Sequence, residues 1–232
     1  MIQLNNLSKQ YNNNPVLNVS ELTIQNGESF GLVGNNGAGK TTLFRLILDL
    51  IEPNTGEVLI DNQPIARRDE WKIEVGSFLD EGFLIDFLTP QEYFNFVGKM
   101  YHKSAGDIAQ FLETMKEFFN GEILENQKKL IRDLSKGNQK KVGIAAALLV
   151  EPRILILDEP FTALDPSSQI RLKRLLNDLQ ESKGMTMLIS SHDLNHVTEV
   201  CKRIVVLEKG LVVRDIHRSE DTLKELESYF AV

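Results

Sequence analysis

The run Gly34-Asn35-Asn36-Gly37-Ala38-Gly39-Lys40-Thr41 fits the pattern G-x-x-x-x-G-K-[ST], and its surroundings leave little choice of fold. It follows the apolar segment 29–33, which reads as a buried strand, and precedes a helical pattern over about 40–50. A strand running into a glycine-rich loop and then a helix is the start of an α/β unit. The spacing has a chemical reason. Glycines let the backbone curl so that successive N–H groups point at the oxygens of a polyphosphate. The helix that begins here aims its positive dipole end at the same place. Lys40 brings a point charge to the β- and γ-phosphates, and the Thr41 hydroxyl is a ligand for Mg²⁺.

The rest of the chain agrees with such a fold. Segments 2–7, 21–24 and 57–60 read as strands of an N-terminal β region, and Pro53-Asn54-Thr55-Gly56 as a turn. From 89 to about 150 the pattern turns helical. Thr89-Pro90-Gln91-Glu92 is a helix start, with Thr89 as N-cap, Pro90 in the first helical position and Glu92 closing a capping box. Ile108, Phe111, Leu112, Met115 and Phe119 repeat at helical spacing. Strands return at 154–157, 186–190 and 204–207, with helices starting near Ser167 and Asp193 and a last one over 221–229. The 232 residues are expected to form one domain, with an α/β core at 1–80 and 151–232 and a helical subdomain at about 81–150.

Composition narrows the function classes. The 26 basic and 33 acidic side chains leave a net charge of −7, a poor balance for a nucleic-acid binder. The longest apolar run, 144–150, is far short of the ~18 residues that a spanning helix needs, so direct membrane insertion is not expected. The first residues lack the basic start and apolar stretch of a signal peptide. Cys201 is the only cysteine, which excludes an internal disulfide, fits a reducing cytosol and reads as a small buried hydrophobe.

A second acidic motif complements the loop. Ile154-Leu155-Ile156-Leu157 is followed by Asp158-Glu159. Central strands of such sheets present their carboxyl ends to ligands. Asp158 is therefore placed to hold Mg²⁺, and Glu159 to orient or deprotonate an attacking water. His192 and His196 are four apart, yet no H-E-x-x-H pattern or cysteine cluster accompanies them, and zinc is not expected. No Asn-Lys-x-Asp guanine-reading motif is present, which favours ATP over GTP.

With these motifs in order, the chain resembles the ATP-binding cassette (ABC) family over its whole length. Leu134-Ser135-Lys136-Gly137-Asn138-Gln139 looks like the family's L-S-G-G-Q signature, Ala163-Leu164-Asp165 like its D-loop, and Ser191-His192-Asp193 like its switch region. The resemblance implies a P-loop core with an N-terminal antiparallel β region and a helical insertion, and ATP with Mg²⁺ as ligands. It implies nucleotide contacts from Tyr11, Asn35, Gly37, Ala38, Gly39, Lys40, Thr41 and Thr42. From a facing cassette it implies contacts from Ser135 and Gly137. It implies that Glu159 and His192 carry catalysis. Two cassettes, as a homodimer or with a related chain, would act on separate transmembrane permease subunits at the cytoplasmic face of the cell membrane.

Departures from the family pattern carry information too. Lys136 and Asn138 replace the usual Gly and Gln, and L-S-K-G variants look most like the ABC-2 type exporter cassettes. Aligning 75–79 to the family's strand puts Asp80 where a glutamine is usual, which makes Asp80 a further candidate metal ligand. Phe83 and Phe87 lie in the loop that follows and are candidates for an apolar surface against a membrane partner. The rival reading is a soluble ABC ATPase without a membrane partner, like those of iron–sulfur assembly.

Overall fold

Two β layers share the phosphate loop's strand-and-helix unit between them. The structure is a computed structural model, and it describes residues 1–125 and 128–231. The chain enters with β1 (Ile2–Tyr11) and β2 (Asn14–Ile24), then β3 (Ser29–Val33), the loop, and α1 (Lys40–Ile47). β4 (Thr55–Ile60), β5 (Gln63–Pro64) and β6 (Val75–Phe78) follow. Next come α2 (Pro90–Met100), α3 (Ala105–Thr114), α4 (Lys116–Phe119) and α5 (Lys136–Leu149). The chain closes with β7 (Ile154–Leu157), α6 (Pro166–Lys183), β8 (Thr186–Ser191), α7 (Leu194–Val200), β9 (Arg203–Glu208), β10 (Leu211–His217) and α8 (Thr222–Phe230).

Among the described residues, the strands form a four-stranded antiparallel sheet in the order β2-β1-β4-β5 and a six-stranded sheet in the order β10-β9-β3-β8-β7-β6. The second sheet is parallel from β9 to β6, with β10 antiparallel at its edge. β7 shows why its four residues are all apolar. Side chains alternate across a strand, and both faces here are covered. Ile154 and Ile156 join the core under the antiparallel sheet with Phe30, Phe44 and Val205. Leu155 and Leu157 join the core under the helices with Phe78, Phe94 and Phe161.

Local chemistry sets the element ends. The expected capping box is present at α2, where Thr89 Oγ1 accepts from Glu92 N and Glu92 reaches back to the N–H of Thr89. Ser104 and Asp107 make a second one at α3. α1 stops at Ile47 rather than near 50, because Asp49 adopts a left-handed φ of 53°. The helical spacing of Ile108 to Phe119 is divided at Met115, which caps α3 and opens α4. β1 and β2 extend beyond the expected 2–7 and 21–24 into a long hairpin, and β10 was not foreseen. Cys201 is fully buried, and burial pushes its thiol well above the ordinary range.

Candidate active site

The carboxyl ends of β3, β7 and β8 lie side by side, so the loops after them meet at one edge of the sheet. The β3 loop is shaped by its glycines. Gly37 and Gly39 have φ of 82° and 107°, in the region that favours glycine. A Cβ on Gly34 would sit 2.3 Å from Leu207 O, so that residue must be small to lie against β9. α1 then begins without any side-chain cap or acidic residue in its first turn. Its leading N–H groups and dipole stay available to an anion. Lys40 is buried and its Nζ donates to Gly34 O at 2.7 Å.

Next to it stands a chain of polar contacts. Thr41 Oγ1 donates to one oxygen of Asp158, and Ser190 Oγ donates to the other. Ser190 in turn accepts the N–H of Glu159 at 2.9 Å. Glu159 itself has a left-handed φ of 48°. Its Oε2 accepts from His192 Nδ1 at 2.9 Å, and its Oε1 lies 3.4 Å from Lys40 Nζ. That Oε1 is buried and makes no hydrogen bond among the described residues, a costly state for a carboxylate oxygen. Five of the expected residues, Lys40, Thr41, Asp158, Glu159 and His192, are thus brought together. An acceptor with an unspent lone pair beside an ammonium, a hydroxyl and an imidazole is equipped to take a proton from water next to a phosphate.

The backbone carbonyl of Glu159 is held as firmly as its side chain. Lys140 Nζ donates to it at 2.8 Å and to Thr162 Oγ1 at 2.7 Å, and Thr162 Oγ1 donates to the same carbonyl at 2.8 Å. Lys140 is buried on α5, and burial holds its ammonium below the usual lysine range.

Other expected residues stand apart from this cluster. Ser135 is the N-cap of α5, accepting from Asn138 N at 3.2 Å. A Cβ on Gly137 would come 2.6 Å from Ala163 O, so the signature loop leans on the loop after β7. Tyr11 is exposed at the tip of the β1–β2 hairpin, with Lys9 Nζ 5.2 Å from its ring centre. The same hairpin reaches the phosphate loop, since Val16 O lies 2.9 Å from where a Gly39 Cβ would be. Asn35 and Gly37 are exposed on the loop, Ala38 is buried under it, and Thr42 follows Thr41 in the first turn of α1.

Asp80 is turned elsewhere. Its Oδ1 accepts the N–H of Gly82 at 2.7 Å, and its Oδ2 lies 3.9 Å from Arg45. Among the described residues, no three His, Cys, Asp or Glu side chains gather into a metal-binding group. The neighbouring Glu81 faces Lys140 instead, at 3.7 Å. Sequence reasoning missed Ser190, Lys140 and Thr162. The available signal was a pair of lysines, Lys140-Lys141, entering the apolar run of α5: charges carried into a core must have partners there.

A family profile described as "ABC transporter" matches residues 17–162. The chain belongs to the ABC transporter family. An uncharacterized ABC transporter ATP-binding protein of Nostoc sp. is 35% identical over 83% of this chain and 57% of its own length. The Nod factor export ATP-binding protein I of Rhizobium meliloti is 33% identical, covering 90% of this chain and 62% of its own. The sulfate/thiosulfate import ATP-binding protein CysA of Pectobacterium atrosepticum is 33% identical, covering 91% and 64%. The chain thus spans little more than half the length of the Nostoc relative. Among solved structures, the dimeric post-hydrolysis state of the ATP-binding cassette MJ0796, bound to ADP and Pi, superposes with a TM-score of 0.84 at 29% identity, covering 94% of this chain and 99% of that one. The fold is therefore that of an ABC ATPase cassette.

Proposed function

We propose that this ABC cassette is the ATP-hydrolysing subunit of an exporter, working as a pair of cassettes against separate permease subunits at the cytoplasmic face of the membrane. The observation that carries the reading is the convergence on Glu159, with Lys40 and His192 on its two oxygens and the Thr41–Asp158–Ser190 chain alongside. In this reading the phosphates of ATP lie on the N–H groups of the loop and on Lys40. Glu159 Oε1, which makes no hydrogen bond among the described residues, accepts a proton from the attacking water. The water oxygen bonds to the γ-phosphorus while the bond to the β–γ bridging oxygen breaks, and its electron pair leaves with ADP. His192, oriented through Nδ1, keeps Nε2 for a γ-phosphate oxygen, and Tyr11 stacks on adenine.

Thr41 and Asp158 are the residues that would hold Mg²⁺. A hydroxyl and a carboxylate in direct contact fit an ion that takes one or two protein oxygens and leaves the rest to phosphate and water. When bound, Mg²⁺ offsets charge on the phosphate oxygens. Ser135 and Gly137 would serve the facing cassette, because their contacts here run to α5 and Ala163. Exposed Leu50, Phe83, Phe96 and Met100 border one groove with Tyr93, a surface suited to a cytoplasmic loop of a permease. Export rather than import rests on the L-S-K-G signature.

Glu159→Gln tests the reading. The variant should bind ATP, release phosphate at least ~100-fold more slowly than wild type, and accumulate as an ATP-bound dimer by light scattering. Near wild-type turnover would remove Glu159 from the role.

A further inference from the structure

Glu159 adopts a left-handed backbone that a residue with a Cβ occupies only when its surroundings hold it there. Three contacts do so. Ser190 takes its N–H, and Lys140 and Thr162 both donate to its carbonyl. Of these, Lys140 reaches furthest. Its Nζ also lies 3.7 Å from Glu81 Oε1, in the turn between β6 and α2 that ends at the exposed Phe83. It sits on α5, whose first turn carries the signature residues and whose Gly137 rests against Ala163. One buried ammonium therefore joins three segments: the loop after β6, the signature helix and the loop bearing Glu159.

We propose that Lys140 is a positioning residue that fixes the Glu159 main chain so that its carboxylate faces the attacking water, and that the Lys140–Glu81 ion pair passes movements of the Phe83 loop to that carboxylate. The inference rests on Glu159 acting on the water, as proposed above. Lys140 is buried and its ammonium is spent on the Glu159 carbonyl, Thr162 and Glu81, so its effect falls on turnover rather than on ATP binding. Glu81 acts only through Lys140. When the loop carrying Glu81 shifts, the ammonium is drawn from or returned to the Glu159 carbonyl, and the peptide turns the side chain with it. A misplacement of about 1 Å at such a group is enough to cost up to ~100-fold in rate.

The test uses the full chain with Mg²⁺ and ATP, reading phosphate release, ATP affinity by nucleotide titration, and Tm. Lys140→Met should lower kcat by about tenfold or more and change the ATP Kd by less than about twofold. Lys140→Arg, which keeps a cationic donor, should recover a large part of the rate. Glu81→Gln should alter kcat in the wild-type background and have no further effect in Lys140→Met. If Lys140→Met does not fold, Thr162→Val removes the second donor to the same carbonyl and should also lower kcat with ATP affinity kept. Wild-type kcat in whichever of these two variants folds overturns the proposal. So does a Glu81→Gln effect that persists undiminished when Lys140 is gone. Glu159→Gln run in parallel separates the two claims. An active Glu159→Gln sinks the role of Glu159 itself, whereas an inactive one beside a fully active Lys140→Met sinks only the positioning role.

Discussion

Asp80, a candidate metal ligand by its chemistry, also has partners of its own on the protein. Its carboxylate closes a turn on Gly82 N and lies within ion-pair range of Arg45. Asparagine retains the acceptor that the turn needs, so Asp80→Asn should leave the loop in place. The ATPase rate plotted against Mg²⁺ concentration should then superimpose on that of wild type. A rightward shift of the curve would give Asp80 back to the metal. The residues that sequence reasoning did bring together, Lys40, Thr41, Asp158 and Glu159 by motif spacing and His192 by family resemblance, sit at or just after strand ends, and spacing survives translation into three dimensions. Ser190 and Lys140 carry no such mark. A serine ending an apolar strand and a lysine entering a buried helix gain meaning only from what the fold sets opposite them, here Asp158 and the Glu159 carbonyl.

At the scale of elements, α5 is pressed onto β6 through a glycine. A Cβ on Gly143 would lie 2.1 Å from the buried ring of Phe78. Alanine would favour the helix by roughly 0.8–1.0 kcal/mol, while overpacking a well-filled core costs about 1–3 kcal/mol. An overlap this deep puts the cost at the upper part of that range, so Gly143→Ala should lower Tm by about 2–4 °C for each net kcal/mol lost in a chain of this size. A Tm at or above wild type would mean that Phe78 relocates freely. β10 was illegible for the opposite reason. It is an edge strand whose residues are mostly exposed, and no apolar alternation survives without a second face to bury. Arg203 holds it in place, with Nε and Nη2 each 2.7 Å from the Asp215 carboxylate and Nη1 2.7 Å from Thr23 O. The hydrogen bonds from Arg203 hold the Asp215 carboxyl below its ordinary 3.8. A carboxylate depressed in the folded state adds stability above its unfolded pKa and loses it as the pH falls through the folded value. Arg203→Met should therefore destabilise at neutral pH by about 1.5–3 kcal/mol, and the gap to wild type should close as denaturation is followed from pH 6 to below 3.8. A gap independent of pH would show that packing of the arginine stem, rather than its charge, is what the strand needs.

At the scale of the whole molecule, the catalytic edge of the sheet and the exposed apolar groove are joined by one short loop. Residues 79–88 leave the carboxyl end of β6, whose Phe78 O accepts the Asp158 N–H at 3.0 Å, and carry Phe83 to the groove's border, with Phe87 exposed further along the same loop. α2 adds Phe96 and Met100 to the same surface. Apolar side chains at this density are costly in water and are commonly kept for a partner. Among the described residues, no helix is long and apolar enough to cross a membrane. Phe87→Ser combined with Met100→Ser removes two exposed side chains without touching either core. Surface changes of this kind shift stability by no more than about 0.5 kcal/mol, so Tm and the ATPase rate of the isolated chain should stay close to wild type. Tagged wild-type chain solubilised from its native membranes should carry an integral membrane protein through purification, and the double variant should lose it. Recovery of the same membrane protein at undiminished yield would move the docking surface elsewhere on the cassette. Recovery by wild type of soluble iron–sulfur assembly factors alone would replace the transporter reading with its rival.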